Sequence, residues 1–354
     1  MPKTGAVLPV GLALGWVVDQ LLGDPRRWHP VAGFGQLAAR LESVLHADSR
    51  TRGVVFEASL VGGTIALGCL LQRAVRGHPV LGTLATAAAT WTVLGGRSLA
   101  REAEAVAERL EAGDLAGGRA RVHNLVSRDP ETLDADGVAR AALESVAENT
   151  SDAVVAPLFW GAVAGIPGLL GYRAVNTLDA MVGYRNERYE NFGWAAAKVD
   201  DLANWVPARL AGALAAVAAP VVGGRPRDAA RVVREQSRQH PSPNGGVVEG
   251  AFAGALGVTL GGRNTYFGVE EDRGELGFGP APRPADLARA NRLAFAVSAG
   301  AALVAVAAAL ARPLSRDLRP LPSRQKPEAL NPVRRRSHRG SRVKPGMTRA
   351  GRPR

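Results

Sequence analysis

The sequence predicts an all-α, polytopic membrane protein with polar connecting loops and a disordered basic C-terminal tail. Three observations predict it. Uncharged stretches of membrane-crossing length recur along the 354 residues. Almost no segment alternates with the period of two that marks a strand. The net charge of +12 also lies in one place: residues 312–354 hold 14 Lys and Arg against 2 Asp and Glu, so the remaining 30 basic and 30 acidic residues balance. This division removes the reading of a basic soluble nucleic-acid-binding protein. It places the C-terminus on the cytoplasmic side by the positive-inside bias.

The strongest uncharged stretches are Gly77 to Gly96 and Ala153 to Tyr172, 20 residues each, and Leu293 to Ala311, 19 residues. About 20 residues at 1.5 Å rise cross a hydrocarbon core of about 30 Å. Weaker candidates are Gly5 to Leu22, broken by Asp19, Val54 to Val75, broken by Glu57 and Arg73, and Ala203 to Gly224, broken by Arg209. Many are rich in Ala and Gly, which favours close helix packing. The N-terminal run lacks a clear small-x-small cleavage site and reads as a retained helix. The lone Cys69 supports neither a disulfide framework nor a cysteine-based metal site.

Between these segments, Gly23-Asp24-Pro25 ends the first helix, because Pro disfavours helical geometry in the residue before it. Residues 97–152 are polar and helical in pattern, ending in a helix from about Asp136 to Thr150. Residues 172–202 are dense in Asn, Asp, Arg and Tyr, and 223–292 open with a basic helix, Asp228 to Gln239, and turn glycine-rich. The domain reading is one membrane-embedded unit, 1–311, and a tail, 312–354, too poor in apolar residues to offset the entropy of ordering.

Four polar constellations could carry chemistry. Glu144, Glu148 and Asp152 stand at i, i+4 and i+8 on one helical face. Three such carboxylates suit a Mg²⁺ ion carrying phosphates, or form a solvated face with Asp152 capping the next helix. Arg173, Asn176 and Asp179 make a second stripe, followed by Arg185, Asn186 and Arg188. These arginines could fork onto phosphate or carboxylate, or pair with local acids at the membrane interface. Lys198, Asp200 and Asp201 open the fifth apolar helix, as a phosphate and metal site or as acids favouring a helix N-terminus. Finally, His240-Pro-Ser-Pro-Asn244-Gly245-Gly246 enters a helix with amides suited to an anion, or is a plain turn. No phosphate-binding or dinucleotide-binding glycine motif and no nucleophile elbow is present.

Together these segments resemble the CbiB/CobD cobalamin-biosynthesis family, the adenosylcobinamide-phosphate synthases of bacterial membranes. The resemblance rests on Asp19-Gln-Leu-Leu-Gly-Asp24-Pro25 with His29-Pro30, on Glu144 to Asp152, and on Tyr172 to Gly193 continuing to Arg209. It continues in His240 to Gly246 and Gly261-Gly-Arg-Asn264-Thr-Tyr266, covering roughly residues 5–310. It implies a multi-pass protein of the bacterial cytoplasmic (inner) membrane. The implied reaction is ATP-dependent amide formation, joining adenosylcobyric acid to (R)-1-aminopropan-2-ol or its O-phosphate, with ATP and Mg²⁺ required and the corrinoid as substrate. Implied partners are the lipid membrane and other late cobalamin-pathway enzymes, with no nucleic acid. On that basis Glu144, Glu148, Asp152 and His240 are assigned to catalysis, and Glu144, Glu148, Asp152, Asp200 and Asp201 to metal. Asn149, Arg173, Asn176, Asp179, Arg185, Asn186, Arg188, Lys198, Asn244, Gly245, Gly246 and Asn264 are assigned to substrate and phosphate. The rival reading is a non-catalytic membrane scaffold or transporter handling corrinoid intermediates.

The resemblance raises a topological conflict. If every candidate crossed once, 172–202 would lie opposite 97–152 and 223–292, although these loops should meet at one site. Either 153–171, with its Gly and Pro, is re-entrant, or a weak segment does not span; residues 247–262 could add a short membrane element.

Overall fold

The computed structural model describes residues 6–25, 29–126, 129–266 and 269–317, without the side chains of 264–266, 269–271 and 312–317. Helices dominate. The chain opens with α1 (Val7–Leu22), α2 (Pro30–Leu45), α3 (Arg50–Ala74) and α4 (Pro79–Val93), followed by the polar helices α5 (Gly96–Glu111), α6 (Leu115–Val122) and α7 (Ala135–Thr150). A π turn, Ser151–Val155, leads into α8 (Ala156–Ala164) and α9 (Ile166–Val182). Then come α10 (Trp194–Ala203), α11 (Trp205–Ala218) with a 3-10 extension to Val222, α12 (Pro226–Gln236), α13 (Gly245–Leu256) and, last, α14 (Asp286–Asp317).

The all-α expectation is corrected at one place. Strands β1 (Leu260–Tyr266) and β2 (Val269–Leu276) form an antiparallel hairpin. Its register slips between Gly261 and Arg263, where Gly261 and Gly262 take φ of 83° and 77°. A bulge with glycines in this region breaks strict alternation, and so hides the strand from a period-two reading.

Among the described residues, three helices are long and apolar enough to cross a membrane: Arg50–Ala74, Trp205–Val222 and Asp286–Ala311. Two of these were the weaker candidates, interrupted by Glu57, Arg73 and Arg209. The uncharged run 153–172 is not one crossing helix. It breaks at Gly165, whose φ of 72° and ψ of −145° suit only glycine, and returns as α9 packed on α8. At about 1.5 Å per residue the nine residues of α8 are too short to span. This helical hairpin returns the start of 172–202 to Asp152, at the end of the 97–152 stretch, as Asn176 and Asp152 are in contact.

Helix α3 runs antiparallel along α9. Gln72 Oε1 accepts from the Ile166 N–H at 3.0 Å, Gly68 abuts Pro167, and Gly171 abuts Ile65. Helices α1 and α4 pack in parallel, Gly11 against Thr86 and Gly15 against Thr90, a small-residue interface of the type membrane helices use. Helix α13 is buried along nearly its whole length at the centre, against α11, α12 and α7.

Candidate active site

The site begins at the π turn. Pro157 has no N–H to donate to the carbonyl four residues back, and its ring crowds that carbonyl. The helix widens there: the Ala156 N–H reaches Ser151 O, while Ala153 O accepts from the Gly95 N–H at 3.2 Å. The same device recurs at Pro207. The carbonyl it leaves free, Ala203 O, accepts from Trp160 Nε1 at 3.0 Å, and the chain bends at Asn204 between α10 and α11. Lys198, Asp200 and Asp201 therefore sit on a short separate helix rather than at the start of the spanning one. π turns inside α-helices are frequent at functional sites.

Four elements converge there. Asn176 on α9 donates to Asp152 Oδ2 at 3.4 Å and to Asp200 Oδ1 at 3.5 Å, both long contacts. Asn204 Nδ2 donates to Asp200 Oδ2 at 3.0 Å, and Asn204 Oδ1 accepts from the Tyr172 hydroxyl at 2.8 Å. Arg173 lies 3.4 Å from Asn176 Oδ1 and within electrostatic reach of Asp152 and Asp24. Lys198 pairs with Asp201 at 3.6 Å. Asp179, Asp201 and Glu148 complete the acidic group.

Electrostatics mark this group. Burial, then the charges of Asp200, Glu148 and Asp179, push the Asp152 carboxyl well above its ordinary range. Burial and the surrounding acids raise Asp179 to about 8. Asp200 rises only to about 6, because its Asn204 and Asn176 hydrogen bonds oppose its burial. Buried atoms without a hydrogen-bond partner stand around the acids: Asp24 Oδ1, Ser151 Oγ, Arg173 Nε and both carboxylate oxygens of Glu57. Native interiors leave few such atoms. Their concentration here fits a constellation completed by a bound cation and a polar ligand. Among the described residues no three acidic, His or Cys side chains converge as a ready-made metal cage. Mg²⁺ usually takes one or two carboxylates together with waters and phosphates.

The structure separates other predicted residues from this group. Glu144 is buried and Oε1 accepts from the Gly261 N–H at 2.7 Å, while Arg140 donates to Gly261 O at 2.8 Å, so this end of α7 holds the β-hairpin. The i, i+4, i+8 stripe is divided in use: Glu144 is taken by the hairpin, while Glu148 and Asp152 stay with the acids. Asn149 bonds back to Ser145. Arg188 and the Tyr189 hydroxyl both meet Glu42 Oε1 at 2.9 Å, and Asn186 Oδ1 accepts from the Tyr189 N–H at 3.0 Å, so these residues fasten the 184–193 loop to α2. Arg185 is exposed.

The His240 segment also serves its own packing. His240 is buried with Nε2 3.4 Å from Glu249 Oε1. Ser242 Oγ accepts from the amides of Asn244 and Gly245 at 3.3 and 3.1 Å, filling the anion position expected at α13. A side chain on Gly245 would crowd His240, and one on Gly246 would strike Ser237 O. Asn244 reaches toward the acids instead: Nδ2 donates to Asp201 O and Oδ1 accepts from Arg209, both at 2.8 Å. The side chain of Asn264 lies outside the described residues.

A model of the family described as CobD/Cbib protein matches residues 12–294. The chain belongs to the CobD/Cbib family. It is 52% identical over 298 residues to the cobalamin biosynthesis protein CobD of Mycobacterium tuberculosis, covering 84% of this chain and 94% of that one. It is 47% identical over 300 residues to the protein of that name from Rhodobacter capsulatus, covering 83% and 93%. With that of Geobacter metallireducens it shares 47% over 277 residues, covering 76% and 85%. No solved structure matches. The matched region holds the hairpin and all the acids described above.

Several contributors carry no role that spacing or motif assigns. Asp24, Tyr172 and Asn204 stood inside recognised motif blocks without a role. Glu57 appeared only as an interruption of an apolar run, although an acid in a spanning helix is itself a signal of function.

Proposed function

We propose that this CobD/Cbib family member acts in cobalamin biosynthesis as an ATP-dependent amide synthase of the bacterial inner membrane. It would join the free propionate carboxylate of adenosylcobyric acid to (R)-1-aminopropan-2-ol or its O-phosphate. The observation that supports it most is the asparagine-bridged acid pair Asp152 and Asp200, beneath a hairpin of apolar helices and surrounded by unpartnered buried polar atoms.

A carboxylate is a poor acyl donor. Transfer of the γ-phosphoryl group of ATP to it gives an acyl phosphate and ADP. The amine then attacks the carbonyl carbon, the C–O bond to phosphate breaks, and the nitrogen gives up a proton. Asp152 and Asp200, oriented by Asn176 and Asn204, would hold Mg²⁺ with Asp179 or Glu148 beside them. The ion, when bound, would neutralise phosphate charge during transfer. Arg173, beside Asp152, and Lys198, paired with Asp201, would meet phosphate oxygens. Such chemistry rests on positioning and charge stabilisation rather than on a protein nucleophile. His240, closed off against Glu249, would act by fixing the loop that carries Asn244.

The test is direct. Protein in lipid nanodiscs is incubated with adenosylcobyric acid, Mg-ATP and either amine, and the amide is sought by mass. Product that requires ATP and disappears in Asp200→Asn supports the reading. No product with either amine overturns it and favours a corrinoid-handling scaffold.

A further inference from the structure

Glu57 lies in the second turn of the spanning helix α3 and is 4% exposed, with both carboxylate oxygens buried and unpartnered. Its position follows from the antiparallel register of α3 on α9. Gly68 abuts Pro167 and Ile65 abuts Gly171, so two further turns along each helix bring Glu57 level with Asp179. Asp200 is the charge that bears on Glu57 directly, and Glu57 in turn bears on Asp179. The carboxylate thus closes the acidic group from the α3 side, on an element that the motif blocks do not include.

A charged side chain buried in this way is costly unless it meets an opposite charge. Arg173 stands with Asp152 and Lys198 with Asp201, and neither is among the charges that bear on Glu57. A carboxylate left in this position is neutralised by a proton or meets a cation that a ligand brings. An alkylammonium asks for one carboxylate, a second acceptor and apolar walls. Here Leu60, Leu178, Val182 and Ala196 supply an apolar cluster between α3, α9 and α10, and Asp179 lies alongside.

We propose that Glu57 is the ammonium-binding carboxylate of the site, holding the charged nitrogen of a small hydroxyalkylamine beside Asp179. The proposal rests on the amide-forming reading above, since the amine co-substrate of that reaction carries this group. It places the nitrogen on the α3 side of the acids, and leaves Asp152 and Asp200 to the phosphate end.

The experiment uses the full chain in nanodiscs, without ATP or corrinoid, titrated calorimetrically with 1-aminopropan-2-ol O-phosphate and with 1,2-propanediol phosphate, in which a hydroxyl replaces the ammonium. The unaltered protein is expected to prefer the amine by at least about tenfold. Glu57→Gln is expected to bind the two equally, with Mg-ATP affinity unchanged, and Glu57→Asp to keep a weakened preference. A second measurement needs no variant. A hydrophobic carbodiimide should modify Glu57, and the amine phosphate, but not the diol phosphate, should slow that modification. Preserved discrimination in Glu57→Gln, or equal protection by both compounds, overturns the proposal. Because binding is read apart from turnover, a protein that holds the amine through Glu57 yet makes no amide keeps the subsite and loses the ligase. One that makes amide with unaltered amine affinity in Glu57→Gln does the reverse.

Discussion

The carbonyl of Ala153, which Pro157 leaves without a helical donor, is taken by the amide of Gly95 at 3.2 Å. One bond thus fixes the widened turn that carries Asp152 and ties it to the junction of α4 and α5. Asp24 stands at the same junction, 4.0 Å from where a Gly95 side chain would begin. A helix-interior Pro costs about 3 kcal/mol relative to Ala, so this cost is borne at the turn next to the acids. Pro157→Ala is therefore expected to hold or raise the thermal midpoint while restoring a donor that competes with Gly95. Amide synthesis should fall about tenfold or more as Asp152 shifts. Unchanged turnover together with raised stability would show that the π turn does not position Asp152.

Tyr172 acts on the acids through Asn204. Its hydroxyl donates to Asn204 Oδ1, which leaves the Asn204 amide nitrogen directed at Asp200. Without that donor, the Asn204 side chain is free to flip and present its oxygen to the carboxylate. Removing groups that orient a metal ligand commonly costs about 10–100-fold in metal affinity or activity. Tyr172→Phe should raise the Mg²⁺ concentration needed for half-maximal synthesis by about tenfold, with the dependence on corrinoid little changed. A uniform loss of rate at saturating Mg²⁺ would argue against this chain of contacts.

The buried His240 and Glu249 pair sets a pH dependence of stability. Burial works against charging the imidazole, but the Glu249 carboxylate outweighs it, and the Ser242 carbonyl adds to it against the opposing charge of Arg273. The His240 pKa is thereby raised above the ordinary 6.5. A raised folded-state pKa contributes stability that is fully present below the unfolded value and is lost as pH rises through the folded one. The thermal midpoint should accordingly decline as pH climbs from about 6.5 through the raised value. His240→Gln should flatten that part of the profile. Parallel profiles in the two proteins would assign the slope to other groups.

Much of this arrangement was legible in the sequence because its signals are local. Arg173, Asn176 and Asp179 fall on one helix, α9, as their spacing required, and α7 begins within a residue of its expected start. What escaped depends on departures from regular geometry or on contacts between distant segments. Counting uncharged residues cannot show that Gly165 folds 153–171 back on itself, and a helical wheel cannot include a π turn made by Pro157. Glu144 looked equivalent to Asp152 because its partner, the Gly261 amide, lies on a hairpin 117 positions away. Gly245 and Gly246 read as an anion nest because the Ser242 side chain that fills it could not be placed from spacing alone. Glu57 could have been found, since a lone acid in an otherwise apolar spanning helix needs an explanation wherever it occurs.

The hairpin itself offers a stability test apart from turnover. Gly165 holds φ 72° and ψ −145° between α8 and α9, and a Cβ there would collide with Gln72 Oε1, the group that accepts from the Ile166 amide. Gly165→Ala forces a residue with a side chain into backbone space that costs about 1–3 kcal/mol. It also displaces the acceptor that caps α9, worth about 1 kcal/mol. The two losses act at the same point, so together they should lower stability by about 2–4 kcal/mol. Gln72→Ala removes only the cap and leaves the turn unstrained, so it should cost about 1 kcal/mol. Thermal or denaturant unfolding in nanodiscs would compare them. Equal losses in the two variants would show that the turn tolerates a side chain and that the Gln72 contact carries the whole effect.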